Sequence, residues 1–427
     1  MTNSRSQDPK STALGQELIA DARWLVTNLV TSDDWGQGSK IELLDGSAWH
    51  QFARRLDTLG KKIHQVESVD PAVDRPEGYR YLLMLLRNAL DVAIEDIDPD
   101  YPRFNWLTRR NKMGWDCPDA LYGNALVLDN ASYRITGRRQ SAHFLGLQVM
   151  GGVRTLRNLH ADEIDIDADG RFEIIASPEP SDGNWLPIDP GAETIWVRQF
   201  FYDWENETPA SLWIERIDDS GDRPPPATLE PGFMARRLDA LAANVEANVD
   251  MWLRVALAQR EGMRNRFPQE EFGGSAMGAQ AHQRAGTGSF CLGEDEALLI
   301  EVRPPRAKYW SFDLASIWLE SLDYANHQSS LNGHQAVLDS DGLFRAVVSR
   351  RDPGVPNWLD TVGRLEGSMI YRWNLSDSFP IPNTRLIQWT HLDDHLPADT
   401  PRIDPQQRAE IIDRRRRGVH RRFTRPL

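Results

Sequence analysis

Cysteine is almost missing from this chain: Cys117 and Cys291 are the only two in 427 residues. Two thiols cannot build a disulfide framework, and without a CxxC spacing they form neither a zinc ribbon nor a redox motif, so a reducing compartment is expected. Long apolar runs are missing as well. The most apolar stretch, YLLMLLRNALDVAI at 81–94, is broken by Arg87 and Asp91, and the opening MTNSRSQDPKST has no apolar core. Neither a spanning segment nor an export signal is legible, which predicts a cytoplasmic protein. Positive charge is short too, with 49 Lys and Arg against 63 Asp and Glu and a net charge of −14. A surface of that sign disfavours nucleic acid and anionic membranes as the main partner. No GxSxG elbow, phosphate loop or GxGxxG turn occurs, so no nucleotide or other cofactor is expected. Metal is not expected either: His391 and His395 have a helical four-residue spacing, yet Pro397 follows at once and HExxH is absent.

What is abundant is tryptophan, fifteen residues in all, which calls for large cores or aromatic-lined pockets. The length exceeds what one ordinary core fills. A repeat explains both. DADGRF at 167–172, NWL at 184–186, Arg198 and Asp203 recur as DSDGLF at 339–344, NWL at 357–359, Arg372 and Asp377. Upstream, the same alignment lays SYRITGRRQSAHFLGLQ at 132–148 over LLIEVRPPRAKYWSFDL at 298–314. Repetition over this length predicts one structural unit used twice.

Periodicity sets the order of elements. Up to about Trp115 the pattern is helical, with Leu18, Ala22, Leu25 and Val26, then Phe52, Leu56, Leu59 and Ile63, then Leu82, Leu86, Leu90 and Ile94 widened by Leu83. From Pro118 short β-branched and aromatic segments such as ALVLD, YRIT, TIWVRQFFY and SLWIERI alternate with Gly, Asp and Pro. A second set, including ALLIEVR, YWSFDL, FRAVVS and SMIYRW, follows a helix marked by Leu238, Leu241, Val245, Trp252 and Ala256 and a Gly-rich passage, FGGSAMGAQ at 272–280. The expected fold is α+β: a helical cap over 1–117, a first sandwich-like β unit over 118–220, a linker and connecting helix over 221–284, a second unit over 285–400, and a basic helix over 401–427. Asp404 is the expected N-cap of that last helix, with Pro405 at its first position.

The segments ALLIEVRPPRAKYWSFDLASIWLESLDY, SLNGHQAVLDSDG, DPGVPNWLDTVGRLEGSMIYRW and LPADTPRIDPQQRAEIIDRRRR resemble the bacterial family of the domain of unknown function 1214. GNWLPIDPG followed by WVRQFFYDW is similar to an element of that domain and of proteins pairing it with the domain of unknown function 1254. The resemblance implies paired β-rich domains with helices and carries no reaction.

The repeated elements have structural explanations. DxDG before a strand is a turn whose Asp caps backbone N–H groups while Gly takes positive φ. Ala176 at the twelfth position excludes an EF-hand. In NWL, Asn184 and Asn357 are expected to satisfy loop backbone while Trp185 and Trp358 plug the unit. Function is expected where the copies differ, since one active site rarely needs two. That selects the insertion LASIWLESLDYANHQSSLNGHQAVLD and the exchange of Pro187 for Asp360. Asp323, His327, Asp360 and Glu320 are the candidate acid/base groups, and Trp310, Trp318, Tyr324, Trp358, Arg364 and Arg372 the candidate ligand-binding residues. The chemistry expected is that of a cofactor-independent catabolic enzyme acting on a hydrophobic or hydroxylated small molecule. The alternative is a non-catalytic protein with a Trp-lined pocket for a sugar, sterol or terpenoid. Eight Arg near the C-terminus carry a local positive excess, expected to dock on the chain's own acidic body or on a partner subunit of a homo-oligomer.

Overall fold

The computed structural model describes residues 43–95, 98–109, 111–152, 154–217, 231–268 and 283–424. The expected helix at 18–26 and the Gly-rich passage at 272–280 lie outside the described residues. The chain is α+β, with two helices, a pair of sheets, a long helix, a second pair of sheets and a terminal helix.

Helix α1 (Ser47–Gln65) buries Phe52, Leu59 and Ile63, three of the four residues its periodicity marks. Helix α2 (Pro71–Leu90) starts where Asp70 accepts from the Ala72 N–H at 3.2 Å and Pro71 occupies the first position. Its inward face differs from the leucine stripe: Gly78, Tyr81, Leu82, Leu85 and Ala89 are buried, while Leu83 is 63% and Leu90 41% exposed. The reason is steric. Trp318 lies flat against α2, and a Cβ on Gly78 would come within 2.5 Å of its ring, so the small residues of the helix face the partner. Helix α3 (Pro231–Gly262) packs Leu238, Leu241 and Val245 into the same core, which Ile317 and Trp318 complete from the second unit.

Eight strands in each half follow one plan. In the first, β1 (Asn105–Leu107) is an extra edge strand. β2 (Ala120–Leu126), β8 (Thr194–Phe200), β4 (Phe144–Gly151) and β5 (Arg154–His160) then pair in that order. The second sheet of this half orders β7 (Trp185–Pro187), β6 (Arg171–Ser177), β3 (Tyr133–Arg138) and β9 (Ser211–Arg216). The second half repeats this as β10 (Gln283–Cys291), β16 (Glu366–Ser376), β12 (Ala307–Ala315) and β13 (Ser330–Asn332), facing β15 (Trp358–Asp360), β14 (Phe344–Ser349), β11 (Glu296–Val302) and β17 (Asn383–Gln388). Each pair of sheets encloses its own apolar core.

The register corrects the alignment of the upstream strands by one residue. Tyr133 opposes Ala176 as Leu298 opposes Val348, and Phe144 opposes Phe200 as Tyr309 opposes Asn374. The offset is therefore 298 − 133 = 309 − 144 = 165, one less than the alignment of Ser132 with Leu298. A one-residue slip would turn every side chain to the opposite face, so burial selects the register that places Tyr133 and Ile135, and Leu298 and Ile300, inward.

Turn and loop chemistry is duplicated down to single bonds. Gly170 and Gly342 take φ of 79° and 78°. Asn184 receives the Asp165 N–H at 2.7 Å and donates to the Asp165 and Glu173 carbonyls, and Asn357 does the same with Val337 and Arg345. The Trp185 and Trp358 indoles donate to the Ser177 and Ser349 carbonyls.

The halves form one body. Asp119, from the segment before β2, accepts from the Trp204 indole at 2.6 Å, the Asn332 amide at 2.7 Å and the Tyr309 hydroxyl at 2.7 Å. Helix α4 (Pro405–Thr424), capped by Asp404 accepting the Gln407 N–H at 2.8 Å, straps both units. Arg408, Arg415 and Arg422, spaced by seven residues and buried, lie over Trp358, Trp204 and Phe201 and donate to the carbonyls of Val355, Ser330 and Pro118. The basic tail is thus engaged with the chain's own body.

Candidate functional site

The insertion occupies residues 316–329, between β12 and β13, where the first unit has only a tight turn. It folds back on β12 through the Leu322 N–H to Leu314 carbonyl bond at 3.1 Å. Its residues have separate tasks. Asp323, half exposed, caps its own turn by accepting from the Asn326 N–H and amide, contacts that hold its carboxyl below the usual range although burial opposes them. Trp318 donates to the Asp74 carbonyl at 2.8 Å inside the helical core. Tyr324 is buried edge-on to Trp204, with the Lys112 ammonium 5.0 Å from its ring. Trp310 belongs to the core of the second unit. Arg364 is bound to Glu77 of α2, its Nε 3.1 Å from the carboxylate, and so ties the second unit to the helices.

Two of the predicted acid/base groups do meet. His327 Nδ1 lies 2.8 Å from Asp360 Oδ2, and Asp360 Oδ1 accepts the Val362 N–H at 2.7 Å. The buried carboxylate orients a partly exposed imidazole. The His327 backbone N–H also donates to the Asp323 carbonyl at 3.0 Å, but among the described residues no side chain of the pair is hydrogen-bonded or ion-paired to a side chain of the other candidates.

Glu320 and Arg372 belong instead to a buried ionic network. Glu320 is ion-paired to Arg80 at 2.6 Å, and burial pushes its carboxyl up to about 7. Lys112 donates to the Ser321 hydroxyl at 2.7 Å, and Ser321 donates to Asp116 at 2.6 Å. Arg372 is ion-paired to Asp313 and donates to the Trp115 carbonyl at 2.8 Å. Burial raises the Asp313 carboxyl to about 7, against the pull of Arg372. Asp116 lies within electrostatic reach of Asp313 and Glu320 alike, and Tyr122 of the first unit reaches Arg372.

Around Arg372 the outer face of the β10–β16–β12 sheet is polar and closed to water. Tyr309, Ser311 and Asp313 on β12 stand beside Asn374, Arg372 and Ile370 on β16, with Gln283 next to Asn374 on β10. Among the described residues, five buried atoms there have no hydrogen-bond partner: Gln283 Oε1, Ser311 Oγ, Asp313 Oδ2 and both amide atoms of Asn374. The matching strands of the first unit carry a different set. By register, Gln283, Tyr309, Ser311, Asp313 and Asn374 correspond to Ala120, Phe144, Gly146, Gln148 and Phe200, while Arg372 corresponds to Arg198. Arginine is common to both, and Gln148 keeps a polar group at the Asp313 position, but the other positions hold small or aromatic residues in the first unit and polar ones in the second.

Asp313, Ser311, Asn374 and Gln283 were not singled out from the sequence. The signal was present in YWSFDL, where Ser311 and Asp313 alternate with core aromatics, and it becomes legible once the register is corrected.

The fold and this buried face define a tandem sheet-pair protein with a polar seam on its second unit. No protein-family model matches the chain, and the comparison with curated proteins finds no match. Among solved structures the chain is similar to an uncharacterized protein from Burkholderia cenocepacia, with 33% identity over 83% of this chain and 100% of that one and a TM-score of 0.77. At that identity and coverage the chain belongs to the same family as the Burkholderia protein. The VPA0106 protein of Vibrio parahaemolyticus matches at 11% identity over 72% of this chain and 97% of that one, with a TM-score of 0.42. Salicylate 1,2-dioxygenase from Pseudoaminobacter salicylatoxidans matches at 11% identity over 71% and 82%, with a TM-score of 0.18. No described helix is long and apolar enough to cross a membrane.

Proposed function

We propose that this chain is a cytoplasmic, cofactor-independent enzyme that holds a hydroxylated small molecule against the outer face of the β10–β16–β12 sheet and acts on it by acid/base chemistry. The observation that carries the reading is the set of five buried, unpartnered polar atoms around Asp313 and Arg372. An unpaired buried polar group costs about 1–3 kcal/mol. Hydroxyl groups, which both donate and accept, would complete Ser311, Asn374, Gln283 and Asp313 together. Burial raises the Asp313 carboxyl against the pull of Arg372, and a raised carboxyl is better suited to moving a proton to or from a substrate hydroxyl. Arg372, fixed by the Trp115 carbonyl, keeps the carboxyl in place and balances its charge when the proton leaves. Gene duplication accounts for the common topology of the two units, and the chain is assigned to the family of the domain of unknown function 1214.

A thermal-shift screen of hydroxylated metabolites tests the binding, because a ligand at a hundred times its Kd stabilises by about 2.7 kcal/mol. Asp313→Asn is expected to bind the hit and lose turnover. A hit unaffected by Asn374→Leu and Ser311→Ala would remove the site. The non-catalytic alternative is favoured by the amide and hydroxyl character of the unpartnered atoms, and retention of every solution property by Asp313→Asn would select it.

A further inference from the structure

The first unit carries a surface feature that its sibling lacks. On the outer face of its β7–β6–β3–β9 sheet, Arg138 of β3 stands directly opposite Arg171 of β6 on one side and Ser211 of β9 on the other. Trp213, two residues along β9 and on the same face, is 63% exposed. Like charges directly opposed across a ladder repel. Arg138 makes no ion pair among the described residues, and Arg171 has only Asp169 at 3.9 Å. This pair persists on a chain whose net charge of −14 offers carboxylates in excess. An open cleft of about 630 Å³ runs over these residues, with Thr136, Asp167 and Glu173 along its walls. At the ladder-equivalent positions the second unit has Arg303, Leu343 and Asn383, and Arg303 is tied to the Asp341 carbonyl at 2.7 Å.

Phe172 and Leu212 also line the cleft but pack against the core of the unit, so the exposed aromatic face of Trp213 stands among hydrogen-bonding side chains and does not suit an apolar peptide, which would need neighbouring exposed hydrophobic residues. It suits a ring whose faces are C–H and whose rim is hydroxyl. Although Asp167 and Glu173 share the cleft, Arg138 has no ion pair among the described residues and Arg171 only the distant Asp169, so both guanidiniums keep N–H groups with which arginine meets carboxylate or phosphate. We propose that this face binds an anionic sugar, its ring stacked on Trp213 and its carboxylate or phosphate held by Arg138 and Arg171, with Thr136, Ser211 and Glu173 reaching the hydroxyls. The site is separate from the buried seam and does not depend on it.

The test is calorimetric titration of the full chain with trigalacturonate, glucose 6-phosphate, neutral maltotriose and inorganic phosphate, with the Trp213 indole N–H followed by NMR. One of the acidic sugars is expected to bind about tenfold or more tighter than maltotriose and inorganic phosphate and to move the Trp213 signal. Trp213→Ala and Arg138→Gln, both at exposed positions, should each weaken it by about tenfold, while Asp313→Asn leaves it unchanged. Inorganic phosphate binding as tightly as the sugars, no binding of either acidic sugar, or affinity indifferent to both surface substitutions would each overturn the proposal. A loss seen only in Asp313→Asn would move the ligand to the seam.

Discussion

The first unit presents the outer face of its β7–β6–β3–β9 sheet to water, whereas the second buries the corresponding face under its own chain. In the first, Arg134 bridges Glu173 and Glu215 at 3.3 and 3.1 Å on an open, charged surface. In the second, the residue at the Arg134 position is Leu299, and it lies with Ala297, Val347 and Ile387 beneath Trp389, Leu392 and Leu396. The chain after β17 continues to Thr400, whose hydroxyl reaches Asp339 at 3.3 Å, and fills the groove between turn and NWL loop that in the first unit stays open at about 460 Å³. One plan of strands therefore tolerates opposite surfaces, because alternation lets each face be rewritten without touching the other. The same independence lets the second unit carry polar groups on the outer face of its β10–β16–β12 sheet while the inner face packs an aromatic core.

Paired substitutions sharpen that contrast. Val347→Lys should cost more than about 4 kcal/mol or prevent folding, since it buries an unpaired charge, whereas Ile175→Lys at the matching half-buried position should cost about 1 kcal/mol. Urea denaturation of both variants at one pH measures the gap, and equal costs would mean that the covering segment does not seal the face. Asp313→Ala should cost about 3 kcal/mol because it strands Arg372 in the interior, against about 1 kcal/mol for Gln148→Ala, its counterpart beside Arg198.

Burial raises carboxyls in both units, Glu193 and Glu207 of the first among them. The carboxyls of Asp313 and Glu320 are raised to about 7 and that of Asp74 to about 6, all chiefly by burial, and all belong to the second unit or its helical neighbour. A raised folded-state value means that the native state holds the proton more tightly than the unfolded chain. Their contribution is greatest below the ordinary carboxyl range near pH 4 and falls as pH rises toward 7. The urea midpoint of Asp313→Asn should therefore decline less between pH 5 and 8 than that of the parent chain. The smallest effect expected is that of Arg138→Gln, within about 0.5 kcal/mol and toward greater stability, because it relieves the opposed charges on the first unit.

Much of the architecture was legible in the residue pattern. The repeat, the DxDG turns, the Asn and Trp bonds of NWL, the three marked residues of α1 and the Asp404 cap all have local causes, namely backbone groups that a neighbouring side chain can satisfy. The site was legible only in part. His327 and Asp360, named separately because each lies where the copies differ, lie within hydrogen-bond distance of one another, a pairing that the sequence pattern did not suggest, and Arg372 sits at the centre of the buried face. Trp318 and Tyr324 look like lining groups in sequence and prove to be packing ones, since an insertion rich in aromatics can as readily plug a neighbouring core as open a pocket. Asp313, Ser311 and Asn374 were hidden because a strand with aromatics on one side reads as core until the other side is known.

The succession of helices and strands along the chain, the turn positions and the helix caps follow from interactions between residues near one another in the chain, where periodicity and capping act, whereas the order of strands within each sheet joins residues as far apart as Gln283 and Asn374. Which sheet face meets water, which meets the helices and which meets the other unit depends on contacts between residues hundreds of positions apart, such as Asp119 with Asn332 and Arg422 with Pro118. Those contacts set the local dielectric and leave the polar atoms of the seam without partners, and neither quantity exists before the units pack.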